Sequence, residues 1–205
     1  MAEATRAVGD QKKISAESLD QLFREAHTHS AWLPRPVSLH LLKEIYDLAR
    51  LGPTSANSSP ARFVFITTPE AKARLLPAVA PGNVDKTKSA PVTVIVAWDT
   101  EFHEKLLQLF PIRDMRAVFS GNPTLSHDTA FRNSSLQGAY FMLAARALGL
   151  DCGPMSGFDA QKLNAEFFPD GKWKANFLCN IGYGDPSKLF PRNPRLSFEE
   201  ACRVL

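Results

Sequence analysis

Residues 128–149, DTAFRNSSLQGAYFMLAARALG, make up the longest helical pattern in the chain. Leu136, Tyr140, Leu143 and Ala147 lie three or four residues apart, so they form one line along a helix. Alanines at neighbouring positions widen this apolar surface. A helix that is apolar over most of its circumference is buried in a large core or against a partner subunit. Gly149 is the residue that ends it, and we expect the fold to be built around this helix.

Three shorter segments predict the strands of a buried sheet. Residues 91–98, PVTVIVAW, are almost all β-branched or apolar, which is typical of a central strand covered on both faces. Residues 63–66, FVFI, predict a second strand, and the alternating apolar residues within 177–181 predict a third. We therefore expect one α+β domain in which helices wrap a buried sheet.

Helical spacing and capping residues predict the remaining helices. They cover residues 16–26, the stretch between Ser38 and Gly52, residues 69–76, residues 160–167 and a short segment near Ser197. Residues 52–60 and 154–157 predict loops because they are rich in proline, glycine or serine. Residues 100–127 predict short helices or a lid. Residues 1–15 are expected to form a flexible N-terminal segment, and residues 16–205 a single domain.

Composition narrows the class of protein. The 205 residues are 44% hydrophobic and 22% charged, which fits one globular domain. A net charge of +3 is too small to predict a nucleic-acid surface. Residues 1–13 lack the apolar region of a signal peptide, so none is expected, and no apolar stretch reaches the roughly 18 residues that a membrane helix needs. The three cysteines lack C-x-x-C spacing, which favours reduced thiols. We expect a cytoplasmic protein that binds neither nucleic acid nor membrane.

Three familiar kinds of site do not fit the sequence. Ser156 lies in GPMSG, which lacks the G-x-S-x-G spacing of a nucleophile elbow. His27 and His29 are two residues apart and no H-E-x-x-H occurs, so we expect no metal site. Gly182-Tyr183-Gly184 is followed by Asp185-Pro186 rather than by a third glycine, so a Rossmann dinucleotide site is not predicted.

Two polar loops remain as candidate ligand contacts. Residues 53–60, PTSANSSP, offer hydroxyls and an amide, and residues 153–158 offer backbone that could approach a flat ligand closely. Lys86 and Arg192 could pair with a phosphate. Ordinary turns and solvated surface charges explain these residues equally well on their pattern alone.

The two loops resemble those of the nitroreductase family. Residues 52–62, GPTSANSSPAR, resemble that family's P-[ST]-[SA]-x-N-x-[QS]-P segment, and residues 153–159, GPMSGFD, resemble its second flavin loop. The similarity extends from about residue 20 to the C-terminus. Residues 131–137, FRNSSLQ, and 182–189, GYGDPSKL, resemble the malonic semialdehyde reductase branch of pyrimidine catabolism.

This resemblance implies a fold, a cofactor and a reaction. The implied fold is a nitroreductase-like three-layer arrangement, with a central, mostly antiparallel sheet wrapped by helices, in an intertwined homodimer. The implied cofactor is FMN at the subunit interface, which takes a hydride at N5 from NAD(P)H and passes it to an acceptor. The flavin carries the hydride, so no catalytic side chain is expected; the protein supplies orientation and electrostatics.

The resemblance also assigns residues to the FMN site, position by position. Those expected to touch the flavin from the partner subunit are Pro53, Thr54, Ser55 and Asn57. Asn83 and Lys86 are expected near the pyrimidine edge and ribityl chain. The residues expected beneath the ring are Pro154, Met155, Ser156 and Gly157, with the backbone N–H of Ser156 or Gly157 near N5. Arg192 is expected at the phosphate.

The N-terminal segment departs from the family pattern. The family carries R-x-S-x-R or R-R-S-x-R, whose arginines hold the phosphate, whereas residues 26–32 here are AHTHSAW. Thr28 can replace the serine, but both arginines are absent. The candidates in this segment are therefore His27, Thr28 and Ser30, with phosphate recognition resting on Arg192, Lys86 and His27. A histidine carries only part of its charge at neutral pH.

Three functions remain open. The first is an FMN-dependent NAD(P)H oxidoreductase that reduces malonic semialdehyde to 3-hydroxypropionate; Arg113, Arg116 and Arg132 are candidates for binding the substrate carboxylate, or are simply solvated charges. The second is a broad-specificity NAD(P)H nitroreductase or quinone reductase. The third is a flavin-binding protein without reductase turnover. No single residue distinguishes the first two.

Overall fold

The computed structural model describes residues 12–205, so residues 1–11 of the predicted flexible segment lie outside the described part of the chain. Four strands form one sheet in the order β1-β2-β4-β3, and every neighbouring pair is antiparallel. The strands are β1 (Ala61–Ile66), β2 (Val92–Asp99), β3 (Asp151–Met155) and β4 (Trp173–Gly182). The expected antiparallel sheet is confirmed, with one more strand than the sequence pattern predicts.

Helices cover both faces of the sheet. They are α1 (Ala16–Leu19), α2 (Leu39–Ala49), α3 (Pro69–Leu75), α4 (Val84–Ser89), α5 (Leu106–Leu109), α6 (Arg116–Ser120), α7 (Pro123–Ala147), α8 (Ala160–Phe167) and α9 (Phe198–Ala201). Short 3₁₀ turns occupy Ser55–Asn57, Leu76–Ala78, Pro81–Asn83, Phe102–Lys105 and Pro186–Lys188. Residues 100–127 therefore contain short helices, as predicted.

Two cores separate the layers. On one face of the sheet, α2 and α7 pack against inward-facing residues such as Val94 and Val96 of β2. On the other face, α3 and α8 enclose a second core that includes Ile95 of β2. Strand β2 is buried along almost its whole length because alternate side chains enter alternate cores. This burial on both sides explains the apolar run in residues 91–98 and confirms the three-layer fold.

The long helix differs from its predicted form at its N-terminal half. It begins at Pro123 because the Asn122 side chain accepts a hydrogen bond from the Leu125 N–H, and proline suits the first helical position. Its buried positions there include the polar Asn133 and Gln137, whereas Leu136 is 42% exposed. The expected apolar circumference is therefore wrong for residues 129–137 of α7, where most of the buried side chains are polar.

Two further expectations need correction. The helix predicted over residues 16–26 is α-helical only to Leu19 and continues as a wider π-helical turn over Asp20–Arg24. The loop predicted over 154–157 is wrong at its start, because Pro154 and Met155 belong to β3 and pair with Cys179 and Leu178 of β4. Proline is tolerated there because β3 is an outer strand of the sheet.

Within residues 12–205, none of the helices combines the length and the apolar content that a membrane crossing requires.

The segment that precedes α2 lies across the ends of β3 and β4. Thr28 bridges to Cys152 in parallel fashion, and Trp32 bridges to Gly184 in antiparallel fashion. The His29 N–H donates to the Cys152 carbonyl at 3.0 Å. A side chain at Gly184 would overlap the His29 ring, so this close approach requires glycine.

We expect Gly184→Ala to lower the free energy of unfolding by about 1–3 kcal/mol, because the added methyl group displaces the buried His29 ring. The matched control is Gly82→Ala, where no atom lies within 4 Å of an added Cβ. Urea unfolding of both variants measures the difference. Equal stability of the two variants would contradict the proposed close packing.

Candidate functional site

A cavity of about 490 Å³ lies between the N-terminal segment, α4, the end of α7 and the C-terminal tail. It brings together five of the predicted site residues, namely His27, Thr28, Ser30, Lys86 and Arg192. The other lining residues are Phe23, Ala26, Arg146, Phe190, Pro191, Asn193 and Arg195. Residues that are far apart in sequence thus converge on one cavity that is rich in cations.

A buried histidine fixes the N-terminal wall of the cavity. The His29 side chain is 7% exposed, and its Nε2 lies 3.3 Å from Oδ1 of Asp151 at the start of β3. The other carboxylate oxygen of Asp151 accepts a hydrogen bond from the Gly184 N–H at 2.9 Å. Sequence reasoning gave His29 no role, because its partner is more than a hundred residues away.

The environment of Asp151 contains opposing influences. Burial by itself raises the pKa of this carboxyl, but the hydrogen bonds from His29 and from the Gly184 N–H outweigh it, so the pKa is lowered overall. The carboxylate is therefore the favoured form, and it ties the N-terminal segment to the ends of β3 and β4.

Helix α4 carries Lys86 into the cavity and joins it to the predicted flavin loop. The Asn83 side chain, at the start of α4, donates to the Gly157 carbonyl at 2.9 Å. A Cβ at Gly157 would lie 2.5 Å from Nδ2 of Asn83, so glycine permits this approach. The Thr87 hydroxyl lies 3.7 Å from the Met155 sulfur. Helix α4 thus contacts residues 155–157 through Asn83 and Thr87, whereas neither Asn83 nor residues 154–157 line the cavity that contains Lys86.

Arg192 ties the C-terminal tail to the N-terminal segment. Its Nη2 donates to the carbonyls of Arg24 at 2.7 Å and Ala26 at 2.8 Å, next to the end of the π-helical turn. The guanidinium also lines the cavity. One side chain therefore closes the cavity wall and presents positive charge to its interior, because arginine has five donors.

Two cations in the cavity were missed by sequence reasoning. Arg146 is in the last turn of α7, and its Nη1 donates to the Leu22 carbonyl at 3.1 Å. Arg195 lies in the tail, where its Nη1 donates to the carbonyls of Asn193 and Pro194. Arg146 could have been noticed in the sequence, because a basic residue in the last turn of a helix is favoured by the helix dipole. Arg195 had no such signal.

The first polar loop does not line this cavity. The Ser55 N–H donates to Oδ1 of Asn133 on α7 at 2.8 Å, and the Asn57 side chain donates to the Leu109 carbonyl at 2.7 Å. The hydroxyl of Tyr140 donates to the Pro53 carbonyl at 3.1 Å. Thr54 accepts from the Ser59 N–H at 3.1 Å. Hydrogen bonds thus hold Pro53 and Ser55 to α7 and Asn57 to α5, and none of these residues, nor Thr54, lines the cationic cavity of their own chain.

The arginines considered for a substrate carboxylate also lie outside the cavity. Arg113 and Arg132 are exposed. Arg116 pairs with Asp114 at 2.9 Å, and its hydrogen bonds lower the pKa of that carboxyl to about 2. Among the described residues, no group of three or more His, Cys, Asp or Glu side chains is arranged to hold a metal ion.

The chemistry of the cavity suits a phosphorylated ligand. Lys86, Arg146, Arg192 and Arg195 supply positive charge, and Thr28 and Ser30 add hydroxyls. Arginine matches phosphate geometry and cannot lose its proton in proteins.

Comparisons with known proteins identify relatives of the whole chain. A family model described as the nitroreductase family matches residues 3–183. A relative from Rhodopseudomonas palustris (strain TIE-1), named "Putative NADH dehydrogenase/NAD(P)H nitroreductase", is 68% identical over 91% of this chain and 95% of its own length. A relative of the same name from Polynucleobacter asymbioticus is 60% identical over 94% of this chain and 98% of its own length.

Solved structures share the fold at low sequence identity. A protein from Exiguobacterium sibiricum 255-15, whose structure was determined in complex with FMN, has a TM-score of 0.82 and 21% identity, covering 94% of this chain and 99% of its own. A nitroreductase family protein from Streptococcus pneumoniae TIGR4 has a TM-score of 0.79 and 22% identity, covering 92% and 98%.

Asp151→Asn tests the pair of the buried His29 with the half-buried Asp151 by its pH dependence. The folded-state pKa of Asp151 is lowered, so the carboxylate stabilises the fold above its unfolded pKa and loses that contribution as the pH falls. We expect the stability difference between wild type and D151N to shrink between about pH 5 and about pH 3. Urea unfolding at several pH values measures it. When both proteins also carry His29→Ala, this stability difference should depend less on pH. A stability difference between wild type and D151N that stays constant with pH would contradict the pairing.

Proposed function

This chain belongs to the nitroreductase family, and on that premise we propose that it is an FMN-dependent NAD(P)H oxidoreductase. The observation that carries this proposal is the cationic cavity, into which Lys86, Arg146, Arg192 and Arg195 converge. Arg146, Arg192 and Arg195 fit the phosphate of FMN, whereas Lys86 is assigned to the flavin ring. The FMN complex of the Exiguobacterium protein, which has the same fold, supports the choice of cofactor.

The phosphate end of FMN is assigned to a set of residues that differs from the family pattern. The two arginines that residues 26–32 lack are compensated in charge by Arg146 and Arg195. Thr28 and Ser30 would donate hydroxyl hydrogen bonds to phosphate oxygens, and Arg192 would bind while it holds the carbonyls of Arg24 and Ala26. Charge-assisted hydrogen bonds to phosphate are among the strongest in proteins.

The isoalloxazine end is assigned to α4 and to residues 154–157, which comprise the end of β3 and the two residues after it. The chemistry that bound FMN supplies is hydride transfer from NAD(P)H to an acceptor. Lys86 would stabilise negative charge at the pyrimidine edge of the ring. The hydrogen bond from Asn83 to the Gly157 carbonyl holds residues 154–157 in place, so that Pro154, Met155, Ser156 and Gly157 can orient the ring.

We also propose that the working unit is a homodimer. Residues 53–57 are held by α7 and α5 and do not line the cavity of their own chain, so a second chain is needed if they are to contact the same flavin. An apolar groove on the outer side of α7 is lined by Leu22, Leu48, Gly52, Tyr140, Leu143, Ala144 and Ala147. Leu48 is 47% exposed and the adjacent Leu51 is 76% exposed. Large exposed apolar patches mark interaction sites.

The proposed acceptor is malonic semialdehyde, which would be reduced to 3-hydroxypropionate. Its support is the resemblance of residues 131–137 and 182–189 to that branch of the family. Arg132 is exposed and outside the FMN cavity, so it is available to a substrate carboxylate, whereas Arg116 is engaged by Asp114. The names of the relatives favour the second candidate, a broad-specificity NAD(P)H nitroreductase or quinone reductase.

Flavin uptake tests the cofactor. We expect the apoprotein to bind FMN, and the bound flavin to bleach anaerobically on addition of NADH or NADPH. Arg146→Met and Arg195→Met should each raise the Kd for FMN about tenfold or more, because each removes a charged partner of the phosphate. Their Kd for riboflavin, which lacks the phosphate, should stay unchanged. Quenching of flavin fluorescence measures both constants.

Arg74→Met is the matched control, since it removes an exposed arginine of α3 that does not line the cavity. A wild-type protein that takes up no FMN would refute the proposed function, and FMN uptake without NAD(P)H bleaching would leave only the flavin-binding class. For the acceptor, kcat/KM for malonic semialdehyde is compared with that for a nitroaromatic. A higher value for the nitroaromatic would favour the second candidate.

The proposed dimer is tested by placing charge in the groove. We expect Leu48→Asp to shift the protein from dimer to monomer and to weaken FMN binding, because a carboxylate in the apolar interface loses its hydration. Lys43→Asp introduces the same group at an exposed position elsewhere on α2 and should leave the dimer intact. Light scattering after gel filtration gives the molar mass; a monomeric wild type would overturn the proposal.

A further inference from the structure

Lys72 on α3 is a lysine with an unusual environment. It is only 9% exposed, whereas lysines are almost never fully buried unless they are paired. Its Nζ donates to the carbonyls of Thr87 at 3.0 Å, Lys88 at 3.5 Å and Ala90. Within residues 12–205, no carboxylate lies within ion-pair distance of it. Its partners are therefore backbone carbonyl groups.

These carbonyls belong to the C-terminal end of α4 and to the residue that follows it. The last carbonyls of a helix have no partner within the helix, and a cation at that end is favoured by the helix dipole. Helix α4 has six residues, too few to be stable by itself. Burial lowers the pKa of Lys72 to about 8, so the amine is mostly protonated at neutral pH and can donate to all three carbonyls.

The Lys86 carbonyl, one residue earlier in α4, is bound by other side chains. The Lys86 carbonyl accepts hydrogen bonds from the Trp32 indole and from the Asn180 side chain, each at 3.2 Å. Asn180 is in turn fixed by the Thr93 hydroxyl at 2.6 Å. Lys72 supplies the donors for the carbonyls that Trp32 and Asn180 do not reach. Its removal would leave the last turn of α4 without those donors.

We propose that Lys72 is a positioning residue for the flavin site. By holding the C-terminal carbonyls of α4, it keeps the Lys86 side chain in the cationic cavity. Lys72 itself does not line that cavity, so it acts through Lys86 and not by contact. The role of Lys86 toward FMN rests on the proposed function, whereas the effect of Lys72 on α4 does not.

A double-mutant cycle tests this action through Lys86. We expect Lys72→Met to raise the Kd for FMN about tenfold, while K72M/K86M binds no more than about twofold more weakly than K86M alone. The midpoint potential of bound FMN should fall in K72M, as in K86M, since a cation near the pyrimidine edge favours the reduced flavin. Lys88→Met, which removes an exposed lysine of the same helix, is the control and should leave both quantities unchanged.

The proposal would be overturned if the increases in Kd for FMN of K72M and K86M multiplied in the double variant. It would also be overturned if K72M bound FMN with wild-type affinity. Hydrogen exchange of the amides of residues 84–89 gives a readout without flavin. Exchange should be faster in K72M than in K88M, and equal rates would also overturn the proposal. If wild type binds no FMN but K72M exchanges faster, only the proposed function fails. If K72M does not fold, Lys72→Gln replaces it: the shorter, uncharged side chain holds the carbonyls less well, so the same changes should appear with smaller size, and wild-type values would overturn the proposal.

Discussion

The packing of helix α7 on one face of the sheet is the contact around which the rest of the molecule is arranged. In it, Phe141 of α7 stacks on Phe63 of β1 at a centroid distance of 5.0 Å. Burial of one such aromatic side chain contributes about 1.5–3 kcal/mol. On the same helix, the side-chain oxygen of Gln137 accepts a hydrogen bond from the Ala61 N–H, and that of Asn133 accepts one from the Ser55 N–H, each at 2.8 Å. Its apolar half therefore builds the core, and its buried amides fix the first polar loop.

The end of α7 connects this core to the cationic cavity. Arg146 leaves the last turn of the helix, holds the Leu22 carbonyl and lines the cavity. Arg192 does the same from the tail, since it binds backbone carbonyls while facing the interior. Positive charges that lie close together repel each other and raise the free energy of the folded state. A bound anion would lower this electrostatic free energy. The charge of the cavity thus favours an anionic ligand.

Much of the fold could be predicted from the sequence because local rules decide it. Helix α2 follows its Ser38 cap, α3 begins at a proline after Thr68, and β2 is apolar on both faces. The errors occur where distant groups decide. Pro154 belongs to a strand only because β3 lies at the outer side of the sheet, and the buried polar side chains of α7 are satisfied by backbone from residues 55–61. Such partners are far away in sequence, so no local pattern reveals them.

The sequence by itself determined the family, the α+β class and the long helix that ends before Gly149. It also identified Lys86 and Arg192 as candidates for binding one anion. These features could be read from the sequence because periodicity, caps and motifs are local properties. Only the tertiary structure decided that Arg146 and Arg195 share their cavity, that His29 pairs with Asp151, and that Lys72 holds the end of α4. These contacts are between residues at least fifteen positions apart, and the packing of helices on the sheet brings them together.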